Sequence, residues 1–124
     1  MDEIRRGDIF LADLGDGIGS EQHGVRPVLV VQNNVGNKYS PTVTVLPITT
    51  KVHKSRGLPT HIFIDNMGGL AEKSSIMAEQ ITTIDKTKIF TYIGTIPEEA
   101  MKKDINEAIL IQLGLPRRKR YGRK

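Results

Sequence analysis

The chain has 124 residues, 38% of them hydrophobic and 26% charged, with no cysteine and no tryptophan. That length accommodates one domain with one modest core, and the composition is that of a globular chain; disulfides, thiolate zinc sites and cysteine nucleophiles are excluded. The net charge of +4 is uneven, because six of the 18 basic side chains fall in residues 117–124, leaving 12 basic against 14 acidic residues and a net −2 over residues 1–116.

Asp8-Ile9-Phe10-Leu11-Ala12-Asp13-Leu14 follows Gly7 and reads as a strand. Gly15, Gly17, Gly19 and Gly24 then mark a loop to about Val25, long for a connection in a small domain and therefore a candidate functional segment. Pro27-Val28-Leu29-Val30-Val31-Gln32 is nearly all apolar and β-branched, as a central strand would be. Asn33, Asn34, Gly36 and Asn37 read as a turn cluster. Thr42 to Leu46 alternates as a strand and Ile48-Thr49-Thr50 continues it. Pro47 cannot donate to a ladder, which suggests a bulge or an edge just before Thr49.

Residues 60–65 read as a further strand, and residues 75–84 as one more, with Ile76, Ala78, Gln80 and Thr82 on one face. A turn at Asp85-Lys86 leads to a last strand over residues 89–93. The helix signal covers residues 96–113: Thr95 and Glu98 have capping-box spacing, Pro97 sits in the first turn, and Gly114 and Pro116 end it. Met101, Ile105, Ala108 and Ile109 share its apolar face. Many short strands and one terminal helix predict a mainly β, α+β domain over residues 1–116. Its sheet would be small, strongly curved and barrel-like, with the helix against it. The basic tail, 117–124, is expected to be disordered.

Familiar catalytic signatures fail. Gly15-x-Gly17-x-Gly19 lacks the Gly-Lys-Ser/Thr of a phosphate-binding loop. His23, His53 and His61 have no metal-ligand spacing, no acidic cluster has two-metal form, and no serine lies in a nucleophile elbow. No metal and no cofactor is expected. The longest aliphatic run, Val28 to Val31, is far short of a membrane span, and the first residues contain no apolar leader, so a cytoplasmic protein that avoids membranes is expected.

A set of ordered motifs nevertheless stands out. Arg6-Gly7-Asp8-Ile9-Phe10, then Gly19-Ser20-Glu21-Gln22-x-Gly24-x-Arg26-Pro27-Val28-Leu29-Val30, Ser40-Pro41-Thr42, Pro47-Ile48-Thr49, Leu58-Pro59-Thr60-His61-Ile62 and Glu79-Gln80-Ile81-x-Thr83-Ile84-Asp85-Lys86 occur in that order. Together with the end helix they resemble the MazF/PemK toxins of bacterial toxin–antitoxin modules over residues 5–115, most closely the Gram-positive branch. The resemblance implies an SH3-like, PemK-type barrel that forms a homodimer. It implies a ribosome-independent endoribonuclease on single-stranded RNA, leaving 2′,3′-cyclic phosphate and 5′-hydroxyl ends and neutralised by a cognate antitoxin protein. The family's catalytic Arg and Thr correspond to Arg26 and Thr49, and its RNA-contacting positions to Ser20, Glu21, Asn33, Glu79 and Gln80.

The residue chemistry is compatible with that role. RNA carries its own nucleophile, the 2′-hydroxyl. Arg26 offers a permanently charged fork for phosphate oxygens, and Thr49 a hydroxyl donor. Arginine is a poor general base, so Glu21 is the candidate to accept the 2′-proton. Each residue also has a plainer reading: Arg26 as an ion pair with Asp13 or Asp16, Thr49 as an ordinary strand residue, Glu21 as a solvated loop charge, His61 as a structural hydrogen-bonder. The competing function is a non-enzymatic toxin of related fold that binds a protein target such as DNA gyrase. Toxins of that kind rely on a tryptophan-containing tail, which this chain lacks. A catalytically dead RNA-binding module is a third reading. Leu46, Ile48 and Met77 are candidate contributors to a dimer interface.

Overall fold

The fold was obtained as a computed structural model, which describes residues 3–52 and 57–116. Seven antiparallel strands follow one another as β1 (Asp8–Asp13), β2 (Val25–Val30), β3 (Thr42–Thr49), β4 (His61–Ile64), β5 (Ser74–Met77), β6 (Thr82–Asp85) and β7 (Ile89–Thr95). They pair in the order β4-β5-β3-β2-β1-β7, with β6 also on β3. The sheet is unclosed among the described residues. Its five-stranded run β7-β1-β2-β3-β6 still curls strongly, because a single 3-10 turn, Lys86–Lys88, joins its two outer strands. Asp85 caps that turn: its Oδ1 accepts from the Thr87 amide at 2.9 Å and hydroxyl at 2.7 Å, and these bonds hold its carboxyl below the ordinary range.

Strand periodicity explains why β2 and β3 read as unbroken apolar runs. Alternate residues face opposite sides of the sheet, and both sides are buried. Phe10, Ala12, Val28, Val30, Val43, Val45 and Ile89 fill the inside of the curl. Ile9, Leu29, Leu46, Ile48 and Ile76 face outward onto the end helix, which contributes Met101, Ile105 and Ala108, with Ile109 packed beside them. Leu46, Ile48 and Met77 are therefore 0%, 2% and 4% exposed within one chain and are not free to form a dimer interface.

Four local expectations are corrected. The turn cluster at 33–37 is a helix, α1 (Asn34–Tyr39), because Asn33 caps it by accepting from the Gly36 amide at 2.8 Å. Buried Asn37 then ties the helix back: its Nδ2 donates to the Gln32 carbonyl at 2.9 Å, while Gln32 Nε2 donates to Asn37 Oδ1 at 3.1 Å. Pro47 forms no bulge: it stays in register with Val28 and is fully buried, while the edge alternative holds locally, since no strand pairs with it on the side away from β2.

The strand expected over 75–84 is broken into β5 and β6 by a 3-10 turn at Ala78–Gln80. These two corrections have one cause. β6 pairs with β3 up to Val45 and β5 resumes from Ile48, so the gap falls opposite Leu46 and Pro47, where the proline has no N–H to give. Finally, the capping box is absent. The end helix begins with α2 (Glu98–Ala100), passes through a π-helical stretch at Met101–Ile105 and continues as α3 (Asn106–Leu113). Thr95 belongs to β7, and its hydroxyl donates to buried Asp8 at 2.9 Å instead. Gly114, at φ 68°, closes the helix with backbone bonds to Ile111 and Leu110, as expected. The basic tail, 117–124, lies outside the described residues.

Arg6 staples three elements. Its Nε donates to the Val31 carbonyl at 2.7 Å, its Nη2 to Asn106 Oδ1 at 2.6 Å, and its backbone amide to Asn34 Oδ1 at 2.7 Å. Burial pushes its guanidinium pKa down from the ordinary arginine value without discharging it. Arg6→Ala leaves the carbonyl and Asn106 unpaired. Urea unfolding is expected to show a loss of about 2–3 kcal/mol.

Candidate active site

A cleft of about 970 Å³ opens where β2 starts and β3 ends. The β2–β3 register pairs Val28 with Pro47, Leu29 with Leu46 and Val30 with Val45. The pairing ends at Val28 and Pro47, and the same register carried two residues outward would bring Arg26 opposite Thr49, on one face of the sheet. Both side chains line the cleft. Each is anchored by pairing on its outer side: Arg26 is in register with Ala12 of β1, and Thr49 with Ser75 of β5.

Arg26 Nε donates to the His23 carbonyl at 3.0 Å, which fixes the guanidinium plane against the loop. Its terminal NH2 groups have no partner among the described residues. The ion pair with Asp13 or Asp16 is not formed among the described residues. Thr49 Oγ1 accepts from the Lys51 amide at 3.1 Å, so its own hydrogen remains available to donate. A fork of N–H donors and a hydroxyl donor thus face one cavity, which is what a phosphate diester in transition requires.

The β1–β2 loop forms one wall and is held from across the cleft. Gln80 Nε2 donates to the Ser20 carbonyl at 3.1 Å, and Gln80 Oε1 accepts from the Gln22 amide at 3.3 Å. The residue expected to touch RNA therefore clamps the loop with both ends of its amide. Gln80→Ala is expected to speed hydrogen exchange at the Gln22 amide roughly five- to tenfold, the worth of one such bond, while core amides stay protected.

Glu21 also lines the cleft, with its Oε1 accepting from the Ile18 amide at 2.7 Å and its own amide bonding the Ile18 carbonyl at 3.1 Å. Ser20 and Glu79 line the cleft as well. Asn33 is not brought there: its side chain caps α1. His23 lines the rim, exposed, with Nδ1 at 3.4 Å from the Glu21 carbonyl.

Sequence reasoning missed three contributors. Lys51 adds a second cation to the rim, and Leu70 and Glu72 belong to the β4–β5 loop that forms the opposite wall. The alternation Thr49–Thr50–Lys51 could have suggested Lys51; nothing local points to the loop residues. Among the described residues no group of three or more His, Asp or Glu side chains is arranged to hold a metal ion, and no helix is long and apolar enough to cross a membrane.

Comparison with known proteins points to one family. The model of the PemK-like, MazF-like toxins of type II toxin–antitoxin systems matches residues 5–113. The chain is 47% identical over 113 residues to endoribonuclease EndoA of Bacillus subtilis (strain 168), covering 90% of this chain and 96% of that protein. It is similar in structure to a mycobacterial endoribonuclease solved with its cognate antitoxin, at TM-score 0.74 and 28% identity, covering 95% of this chain and all of that one. The MazF of Deinococcus radiodurans shares the fold at TM-score 0.78 and 17% identity, over 93% of this chain and 100% of that one. A curved antiparallel sheet with a terminal helix, motifs in matching order and a relative close to half identical along nearly its whole length lead to one assignment: this chain belongs to the PemK/MazF family of type II toxin–antitoxin toxins.

Proposed function

We propose that the chain is a sequence-specific endoribonuclease toxin that cuts single-stranded RNA in the cytoplasm, independently of the ribosome and of metal ions, and is silenced by a cognate antitoxin protein. The observation that carries this reading is that Arg26 and Thr49, from neighbouring strands, both line one cleft. The 2′-oxygen attacks phosphorus, the P–O5′ bond breaks, and the products are a 2′,3′-cyclic phosphate and a 5′-hydroxyl. Arg26 neutralises charge building on the non-bridging oxygens and Thr49 donates to one of them. The 2′-proton goes to a base, for which Glu21 is the candidate, and the leaving 5′-oxygen takes a proton in turn. Ser20 and Glu79, which line the cleft, would meet the bases directly, and Gln80 would act there or through the loop it holds. Asn33 would serve only from outside the cleft. We further propose a homodimer.

The test is incubation with a long single-stranded RNA in EDTA, followed by mapping of the ends. Discrete cuts carrying the stated termini support the reading; intact RNA with the folded protein overturns it. Glu21→Gln is expected to lower the cleavage rate more than RNA affinity; equal losses, or none, remove Glu21 from the base role.

A further inference from the structure

The floor of the cleft holds a polar cluster to which the cleavage chemistry gives no task. Thr60, just ahead of β4, donates its hydroxyl to Glu79 Oε1 at 3.0 Å, and His61, the first residue of β4, meets Glu79 Oε2 through Nε2. The Glu79 side chain is 30% exposed, whereas that of His61 is only 8% exposed. His61 Nδ1 is buried with no hydrogen-bond partner. An ionised carboxylate only accepts, so the imidazole proton sits on Nε2. Leaving the other ring nitrogen unpaired costs stability, yet the ring keeps this orientation, in which its one hydrogen bond serves Glu79.

Glu79 is thereby held from below at both oxygens. Two of its roughly four lone-pair sites are taken, and because Glu79 lines the cleft and is partly exposed, the others are open to a ligand there. An acceptor-only group fixed there recognises a base edge that offers an amino or imino N–H. Once released, the carboxylate would turn and accept from water, and the discrimination would fade. We infer that His61 is a positioning residue for RNA recognition: it orients the Glu79 carboxylate toward one base of the cut site. The inference rests on the ribonuclease reading and extends it to the residue that sets the recognising group.

The experiment uses the full chain, a random-sequence single-stranded RNA library and sequencing of the cut ends. His61→Leu is expected to reduce preference at one position of the cut site about tenfold, the worth of one charge-assisted bond. KM rises while kcat at saturating RNA changes by less than about twofold. His61→Gln, whose amide nitrogen reaches the place of Nε2, restores the preference. Adding His61→Leu to Glu79→Gln costs nothing further at that position. Thr60→Val, which preserves side-chain shape, weakens preference at the same position and provides a second route if His61→Leu does not fold.

A role in packing alone would lower the melting temperature and the active fraction but leave the preference intact, and that result overturns the inference. So does a failure of His61→Gln to restore preference at unchanged stability, or a Thr60→Val effect elsewhere or nowhere. If the wild-type chain leaves the library uncut, the ribonuclease reading falls and this one falls with it. Should the wild type cut and His61→Leu retain the preference, only the role of His61 is lost.

Discussion

Arg26→Ala is expected to lower the single-turnover cleavage rate by about 10³-fold at saturating RNA, while the melting temperature moves by no more than a degree or so. The stability expectation follows from the site's construction. Arg26 has one intramolecular hydrogen bond, to the His23 carbonyl, and no carboxylate partner among the described residues, so its removal leaves no buried charge behind. The rate expectation follows from what the terminal NH2 groups face. Pairing with β1 and the bond at Nε hold them in place, so in the proposed role they would stabilise developing charge without reorganising. Arg26→Lys is expected to recover only a small part of the loss, because an ammonium lacks the planar fork and the Nε–H that fixes it. Full recovery with lysine would mean that a point charge suffices and that the fork geometry is irrelevant. Thr49→Val, which retains the strand preference and loses the donor, is the companion variant and is expected to act in the same direction.

Gly94→Ala is expected to destabilise the chain by roughly 3 kcal/mol, seen as a melting temperature lower by about 12 °C, and to abolish the cleft. The loop between β4 and β5 crosses over β7 with backbone against backbone. A Cβ on Gly94 would lie 2.3 Å from the Gly68 carbonyl oxygen and 2.6 Å from its carbon. On the facing side, a Cβ on Gly69 would lie 2.4 Å from the Ile93 carbonyl oxygen, and Gly69 also sits at φ 79°. Neither neighbour is a flexible side-chain tip that could swing aside, so the crossing itself must lift. Gly69, Leu70 and Glu72 of that loop line the cleft, so cleavage is lost together with the loop's protection from hydrogen exchange. A normal melting temperature in Gly94→Ala would show that the crossing is looser than these distances allow. Gly94→Ser is expected to behave likewise, which separates the steric cause from any effect of added hydrophobicity.

Five strands and the terminal helix are legible in the residues, because each carries its own period. β1, β3, β4 and β7 announce themselves by alternation or short apolar runs, β2 by an unbroken apolar run that only burial on both faces permits, and the helix by Met101, Ile105 and Ala108. The missed features share a different origin. Asn33 to Asn37 has turn composition, and it becomes α1 because Asn37 finds Gln32 and Asn34 as partners in a buried network. Residues 75–84 have an uninterrupted strand pattern, and the break at Ala78–Gln80 follows from Pro47 on the neighbouring strand. Thr95 and Glu98 have the spacing of a capping box, but buried Asp8 claims the threonine hydroxyl. In the last two cases a distant partner outweighs a local preference and no local window contains it, whereas α1 turns on neighbours within five residues whose burial is set by the fold around them.

The candidate site divides along the same line. Which residue types could bear on a phosphate, and which glycines would free the loop beside them, was written in the order of the amino acids, since charge, hydroxyl chemistry and backbone permissiveness belong to individual residues. That Arg26 and Thr49 line one cleft, that Gln80 holds the loop by its backbone, and that His61 meets Glu79 were decided by tertiary structure alone. Register, strand breaks and loop crossings bring residues tens of positions apart to within a few ångströms, and that proximity, unlike the residues' chemistry, exists only once the sheet has curled.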